Sequence, residues 1–314
     1  MKKNILAGLD LGTTKVCAVI AEQSDDTLNI LGFGVAPSEG LNRGLVANIT
    51  KTAEAIAEAM EIAQNRAGIY IKELNVGVAG EHITSLHYRN YITINNPEGE
   101  ITQGDLDRLE QDVRTMRIPA DRQILHIIPE EYSIDNQGGI EKPIGMCGTK
   151  LEAINHVVLA AVPAIQNIKK SVERAGYVVK NYILQPIASS ESVLDVNEKD
   201  LGVVLIDIGG GTTDVAVYFD KSIKHTKVIG VAGNMITNDI RESLGIVTAD
   251  AENLKKEFGY AIQEAIIRDQ DIILKNSGGR GNVKIPVTLL TQIINVRMSE
   301  LFMIIKNELQ HTNY

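Results

Sequence analysis

Two segments far apart in the chain repeat one design. The first is Gly8-Leu9-Asp10-Leu11-Gly12-Thr13-Thr14-Lys15-Val16, and the second is Ile206-Asp207-Ile208-Gly209-Gly210-Gly211-Thr212-Thr213-Asp214-Val215. Each puts an aspartate at the end of an apolar strand, makes a glycine- and threonine-rich turn, and returns along a second strand. Such duplication predicts two similar half-domains facing each other. The turns suit a nucleotide's phosphate chain. Glycine lets backbone N–H groups approach phosphate oxygens with no Cβ in the way, and threonine hydroxyls add donors. Asp10 and Asp207 would repel each other if brought together alone. A Mg²⁺ with its water shell between them removes that objection, because hard cations prefer carboxylate and water oxygens. Lys15 can offset phosphate charge. Either segment alone is explained as well by an ordinary β-hairpin, and it is the pairing that favours phosphate binding. Neither segment is a dinucleotide-binding GxGxxG turn, since Asp214 stands where the last glycine would be, and no GxxxxGK[ST] loop occurs.

The 314 residues have room for about two or three domains. Apolar residues make up 44% of them, enough to fill real cores, but only 4% are aromatic and none is Trp, so Leu, Ile, Val and Ala must do the packing. The net charge of −9 argues against nucleic acid as a partner, because phosphate backbones need a basic surface. Cys17 and Cys147 have no CxxC spacing and read as reduced, buried thiols of a cytoplasmic protein. Met1-Lys2-Lys3 and the apolar residues after it resemble a signal peptide only until Asp10 interrupts them. No window reaches the roughly 18 apolar residues of a spanning helix, so membrane contact would be peripheral. His82, His87, His126, His156, His225 and His311 show no HExxH or ligand spacing, which leaves a metalloenzyme without support.

Periodicity predicts strands over 4–11, 16–21, 28–34 and 74–79, with a helix over 50–67 that Gly68 caps. The rhythm changes near His82. Strands are expected at 88–94, 122–128, 131–134 and 155–162, with a capping-box helix from Thr102 and Asp105 to about Met116. A helix opens at Pro163 and ends at Gly176. Strands 201–208 and 215–219 flank the second glycine turn, and a helix covers 234–245. Residues 249–285 read as a small helical and hairpin unit. A last helix, 288–309, is expected to bury Leu289, Ile293, Val296, Leu301, Ile304 and Ile305. Its mixed charges, Arg297, Glu300, Lys306 and Glu308, favour a core helix over a membrane-surface one.

The two turns resemble the phosphate-1 and phosphate-2 motifs of the actin, Hsp70 and sugar-kinase superfamily, and Gln185-Pro186-Ile187-Ala188-Ser189 resembles its connecting helix. That helix begins Glu-Pro in Hsp70-like members, so Gln185 would take the role of positioning metal or water. An ordinary helix start with Pro186 in its first turn fits equally. Narrower features resemble the bacterial cell-division family FtsA: Gly77 to Ile83, the run from Arg122 to Gly148, Gly233 to Asp239 and Ala251 to Lys255. The resemblance spans essentially the whole chain. It implies an α/β, actin-like (ribonuclease H-like) ATPase fold. Residues 1–81 and 163–198 would form the first half-domain and 82–162 an inserted, SHS2-like α+β subdomain. Residues 199–239 with 301–314 would form the second half-domain and 240–300 a small subdomain.

The resemblance further implies ATP and Mg²⁺ as cofactors. Asp10, Gln185 and Asp207 would serve weak or absent hydrolysis, with Asp10 and Asp207 holding Mg²⁺ through water. Gly12, Thr13, Thr14, Lys15, Gly209, Gly210, Gly211, Thr212 and Thr213 would hold phosphate. Gly233 and Asn234 would lie near the nucleotide, and Glu252 and Lys255 would touch ribose and adenine. Ala232 replaces a usual glycine. The implied partners are the C-terminal peptide of the tubulin-like protein FtsZ, further copies in actin-like filaments, and other division proteins through 82–162. Candidates to meet the FtsZ peptide are Arg268, Lys275, Arg280, Lys284 and Arg297, each of which reads alone as a solubilising charge. The family's last nucleotide turn and its amphipathic membrane helix have no residues here, so the chain is expected to be truncated and its second half-domain incomplete. The rival readings are a type IV pilus assembly protein of the same fold and a small-metabolite kinase.

Overall fold

The structure, a computed structural model, describes residues 4–24, 27–274 and 283–312. Strands β1 (Asn4–Leu11), β2 (Lys15–Ser24) and β3 (Thr27–Pro37) form an antiparallel meander. Alternation sends Ala7, Leu9, Leu11, Val16, Ala18 and Ile20 into the core. A small ribbon, β4 (Leu41–Asn42) and β5 (Leu45–Val46), leads to helix α1 (Ile49–Ala67). Gly68 ends it in the left-handed conformation, as the sequence predicts, and Asn48, which the sequence reading did not single out, caps its start through the Lys51 N–H. Ile56, Ala59, Met60 and Ala63 of α1 are buried. The helix lies very close to β3: a Cβ on Gly34 would stand 2.0 Å from the Ala59 carbonyl oxygen, and one on Gly32 2.5 Å from that of Ala63. Strand β6 (Glu73–Val78) then runs parallel to β1.

A second sheet follows. It comprises β7 (Ile83–Thr93), then, after α2 (Gln103–Arg114), β8 (Arg122–Ile134), β9 (Gln137–Ile140) and β10 (Lys150–Ala161), in the order β7-β10-β8-β9. The capping box of Thr102 and Asp105 is formed. The expected pair of strands, 122–128 and 131–134, is a single strand. Ile154 pairs with Glu131 and Asn155 with Pro129, leaving Glu130 as an extra, bulged residue. Pro129 is tolerated beside that bulge because the ladder is already interrupted there.

Helix α3 (Val162–Arg174) and strand β11 (Val178–Leu184) complete the first sheet as β11-β6-β1-β2-β3. Next come α4 (Gln185–Val193) and α5 (Val196–Leu201), then an antiparallel sheet of β12 (Val203–Ile208), β13 (Thr213–Phe219) and β14 (Ser222–Ile229). Strand β14 is a feature the sequence reading lacks, since Lys224, His225, Thr226 and Lys227 hide its alternation.

Contacts gather Met1–Gly230 into one compact unit and Val231–Tyr314 into another. The second unit packs α6 (Gly233–Leu244), α7 (Thr248–Phe258), the hairpin β15 (Asp271–Leu274) and β16 (Val283–Pro286), and α8 (Val287–Gln310). Helix α8 buries Leu290, Thr291, Ile294, Leu301 and Ile305. Leu289 and Val296, expected inside, are 41% and 72% exposed. Apolar residues lie all round this helix, so periodicity could not fix its face. By length and mean hydropathy (1.3) α8 also meets the measure of a membrane-spanning helix, with 28% of that window buried. The cysteines are free, but Cys147 is exposed and Cys17 half-buried, against the expectation of two buried thiols. Cys147 lies outside the core, in an isolated bridge to Glu100.

Candidate functional site

The two glycine turns close in the same way. Gly12 N–H donates to the Lys15 carbonyl at 3.0 Å, and Gly209 N–H donates to the Thr212 carbonyl at 2.9 Å. Each turn follows two residues after an aspartate that ends a strand, Asp10 on β1 and Asp207 on β12. Both turns require glycine for space. A Cβ on Gly12 would stand 2.7 Å from the Lys15 carbonyl oxygen, and one on Gly211 would stand 2.5 Å from Thr13 Oγ1. The second contact shows that the turns face each other. They line one cleft of about 790 Å³ with Asp10, Lys15, Gln185, Ser189, Asp207 and Asp214, a size that suits a small molecule of nucleotide dimensions.

Matched by their hydrogen bonds, the two turns do not carry their threonines at equivalent positions. Thr13 and Thr14 lie within the first turn, whereas Thr212 and Thr213 fall at the end of the second and the start of β13. The threonine pairs are therefore two positions out of step. Thr213 is fully buried, paired with Ile208 and Ile229, and does not line the cleft. In the matched register Asp10 pairs across its hairpin with Cys17, and Asp207 pairs with Asp214.

Three carboxylates thus meet. Burial raises the Asp10 carboxyl above its usual range, Lys15 opposes the shift, and Asp207 adds to it. Burial, together with Asp207 and Asp10, pushes Asp214 up to about 7 against a hydrogen bond from Thr212. Asp214 Oδ1 is buried without a hydrogen-bond partner. Helix α4 brings two more groups. Gln185 Nε2 donates to Asp10 Oδ1 at 2.5 Å, and Ser189 Oγ donates to Asp207 Oδ2 at 3.2 Å. Crowded, under-satisfied carboxylates beside backbone turns too tight for a Cβ are a donor set that fits a hard cation and a phosphate chain. The sequence reading did not single out Asp214 or Ser189. Matching the hairpins by register would have exposed Asp214 as the counterpart of Cys17.

The remaining predicted ligands form a cluster in the second unit. Lys255 Nζ donates to the Gly233 carbonyl at 3.1 Å and to Thr237 Oγ1 at 2.8 Å, and it pairs with Glu252 at 2.7 Å. Burial would raise the Glu252 carboxyl, but hydrogen bonds from Lys255, Thr237 and Lys256 outweigh it and hold the group below its usual range. Asn234 occupies the first turn of α6. Of the basic partner candidates, Arg268 is exposed and Lys284 pairs with Asp271 at 2.9 Å. Arg297 grips Asp239 with two bonds, 2.6 and 2.9 Å long, so an incoming carboxylate would have to displace it. Lys275 and Arg280 lie outside the described residues.

A family profile described as "SHS2 domain inserted in FTSA" matches residues 80–159, and one described as "Cell division protein FtsA" matches 204–307. The cell division protein FtsA of Neisseria meningitidis serogroup B is 40% identical over 314 residues, 100% of this chain and 75% of its own length. The chain belongs to the FtsA family of cell division proteins. FtsA of Escherichia coli K12 is 34% identical over 308 residues, 98% of this chain and 73% of its own. Among solved structures, the PilM-PilN type IV pilus biogenesis complex aligns with a TM-score of 0.66 at 16% identity, covering 98% of this chain and 76% of its own. MreB5 of Spiroplasma citri bound to ADP aligns with a TM-score of 0.54 at 15% identity, covering 98% of this chain and 79% of its own. These likenesses support the actin-like α/β fold, and the profile match identifies the second sheet as the SHS2 insertion of the FtsA family.

Proposed function

We propose that the chain is an ATP-binding, actin-like cell division protein that assembles with FtsZ at the division site and helps tether the Z ring to the cytoplasmic membrane. The observation that carries the nucleotide reading is the convergence of two glycine turns and three aspartates on one cleft. With the Gly12 and Gly209 N–H groups closing the turns, the backbone N–H groups between them, at Thr13, Thr14, Gly210 and Gly211, would hold phosphate oxygens, with the Thr13, Thr14, Thr212 and Lys15 side chains beside them. Asp10 and Asp207 would hold Mg²⁺ through water, and Asp214 would add negative charge behind them. Bound Mg²⁺ supplies charge neutralisation at the phosphates. Gly233, Asn234, Glu252 and Lys255 would serve the ribose and base.

Turnover is slow or absent in this reading. Gln185 is a weak base whose amide already donates to Asp10. Arg268 and Lys284 would meet the acidic FtsZ peptide, and the SHS2 sheet would meet other division proteins. Filament formation and a peripheral position on the cytoplasmic membrane face are part of the same reading. The test pairs an FtsZ-tail peptide with a phosphate-release assay. Saturable peptide binding that Arg268→Glu weakens, with negligible Mg²⁺-dependent phosphate release, is expected. Rapid phosphate release, or a folded chain that ignores the peptide, would contradict it.

A further inference from the structure

The face of the inserted sheet that meets β14 carries a polar cluster unrelated to the phosphate cleft. His156 of β10 pairs directly across the ladder with His87 of β7. The bulge in β8 turns Glu130 onto the same cluster. One nitrogen from each imidazole and one Glu130 oxygen all lie within 4.8 Å of one another. His156 is fully buried, and its Nδ1 has no hydrogen-bond partner. Its Nε2 sits 3.0 Å from Thr226 Oγ1 of β14. Glu130, whose side chain is 3% exposed, holds Oε1 at 3.1 Å from His87 Nε2 without a hydrogen bond between them.

We propose that His87, Glu130 and His156, one from each of three strands of the inserted sheet, form a binding site for a transition-metal ion of the Zn²⁺ class. Two imidazoles and one carboxylate are a borderline donor set that selects Zn²⁺ or Co²⁺ over Mg²⁺. Two donors on one tetrahedral ion stand about 3.3 Å apart, given metal–ligand bonds of about 2.0–2.1 Å. The His87–Glu130 separation of 3.1 Å already meets that spacing, and the other two, within 4.8 Å, would close by up to about 1.5 Å on binding. A His156 Nε2–H donated to Thr226 fixes the tautomer that leaves Nδ1 its lone pair, the usual outer-shell support of a ligating histidine. Lys224 Nζ lies 3.7 Å from Glu130 Oε2. Its charge weakens cation binding but engages the other carboxylate oxygen. His87 Nε2 also sits 2.9 Å from the Lys224 carbonyl, so binding shifts that ring to its Nδ1–H tautomer, with no net proton lost. The His87 side chain, 45% exposed, gives the ion its entry and leaves room for a water ligand.

The test is Co²⁺ titration of the purified, chelator-stripped chain, followed by visible d–d absorption and Zn²⁺ displacement. One Co²⁺ per chain with a tetrahedral spectrum is expected, together with a rise in melting temperature on adding Zn²⁺. His87→Gln is expected to weaken binding by at least about tenfold and to abolish the thermal shift. Asp207→Asn, in the phosphate cleft, is expected to leave it unchanged. Absence of a cobalt spectrum in the wild-type chain overturns the proposal, whatever a variant does. So does binding that survives His87→Gln, or binding that disappears with Asp207→Asn.

Discussion

Asp214 lines the cleft and is held far from its ordinary ionisation. Its folded-state carboxyl, pushed up to about 7, lies above its value in an unfolded chain. The folded protein therefore binds this proton more tightly, and stability falls as pH rises from about 4 to about 7, then levels off. Each pH unit across that window costs about 1.4 kcal/mol, so the loss amounts to a few kcal/mol. Asp214→Asn is expected to melt well above wild type at pH 8 and close to it near pH 4. The same gap at both pH values would show that the carboxyl's charge is not the cause. Gly211→Ala tests the facing turns. Its Cβ would crowd Thr13, so nucleotide affinity in a competition assay is expected to fall about tenfold or more, roughly 1.4 kcal/mol. An unchanged affinity would mean that the turns do not close on the ligand. The aspartate–glycine–threonine pattern was legible because it occurs twice. Asp214 and Ser189 were not, since each reads alone as an ordinary strand or helix residue and gains meaning only across a hairpin or from a packed helix.

Among the elements, α1 and β3 have the tightest fit. Glycines 32 and 34 let the helix backbone lie against the strand with no side chain between them. Gly34→Val would drive a side chain into the Ala59 carbonyl, and its overpacking is expected to cost about 3 kcal/mol in urea unfolding. A loss under about 0.5 kcal/mol, the ordinary surface range, would contradict so close an approach. The glycines were visible in the sequence, but what they face was not, because close approach is a tertiary fact. Helix α1 itself was legible to within a residue, having a clean apolar stripe and a terminal glycine. The buried face of α8 was not, because residues such as Val296 and Phe302 offer apolar surface on its outer side.

For the molecule as a whole, acid acts on buried histidines and buried carboxyls in opposite senses. Burial lowers His156 to about 3 and His82 to about 4, and lowers His126 as well. These rings fold neutral, so their contribution is fully present above about 6.5 and is lost as pH falls toward their folded values. His156 and His82 each contribute up to about 1.4 kcal/mol per pH unit in that range. The raised carboxyls of Asp214, Asp10 and Glu130 gain stability as pH falls and oppose this loss, so the histidine part is read from a variant: His82→Gln is expected to lose less stability than wild type between pH 6.5 and 4 in denaturant melts. An equal loss in both would contradict a buried neutral ring at His82. The most direct test of the central claim is calorimetric titration of the chain with ATP, with and without Mg²⁺, beside Asp207→Asn. Wild type is expected to bind about tenfold or more tightly with Mg²⁺, and Asp207→Asn to lose that enhancement while remaining folded. A folded wild type that does not bind ATP, or binds it equally with and without Mg²⁺, would contradict the two-turn phosphate site.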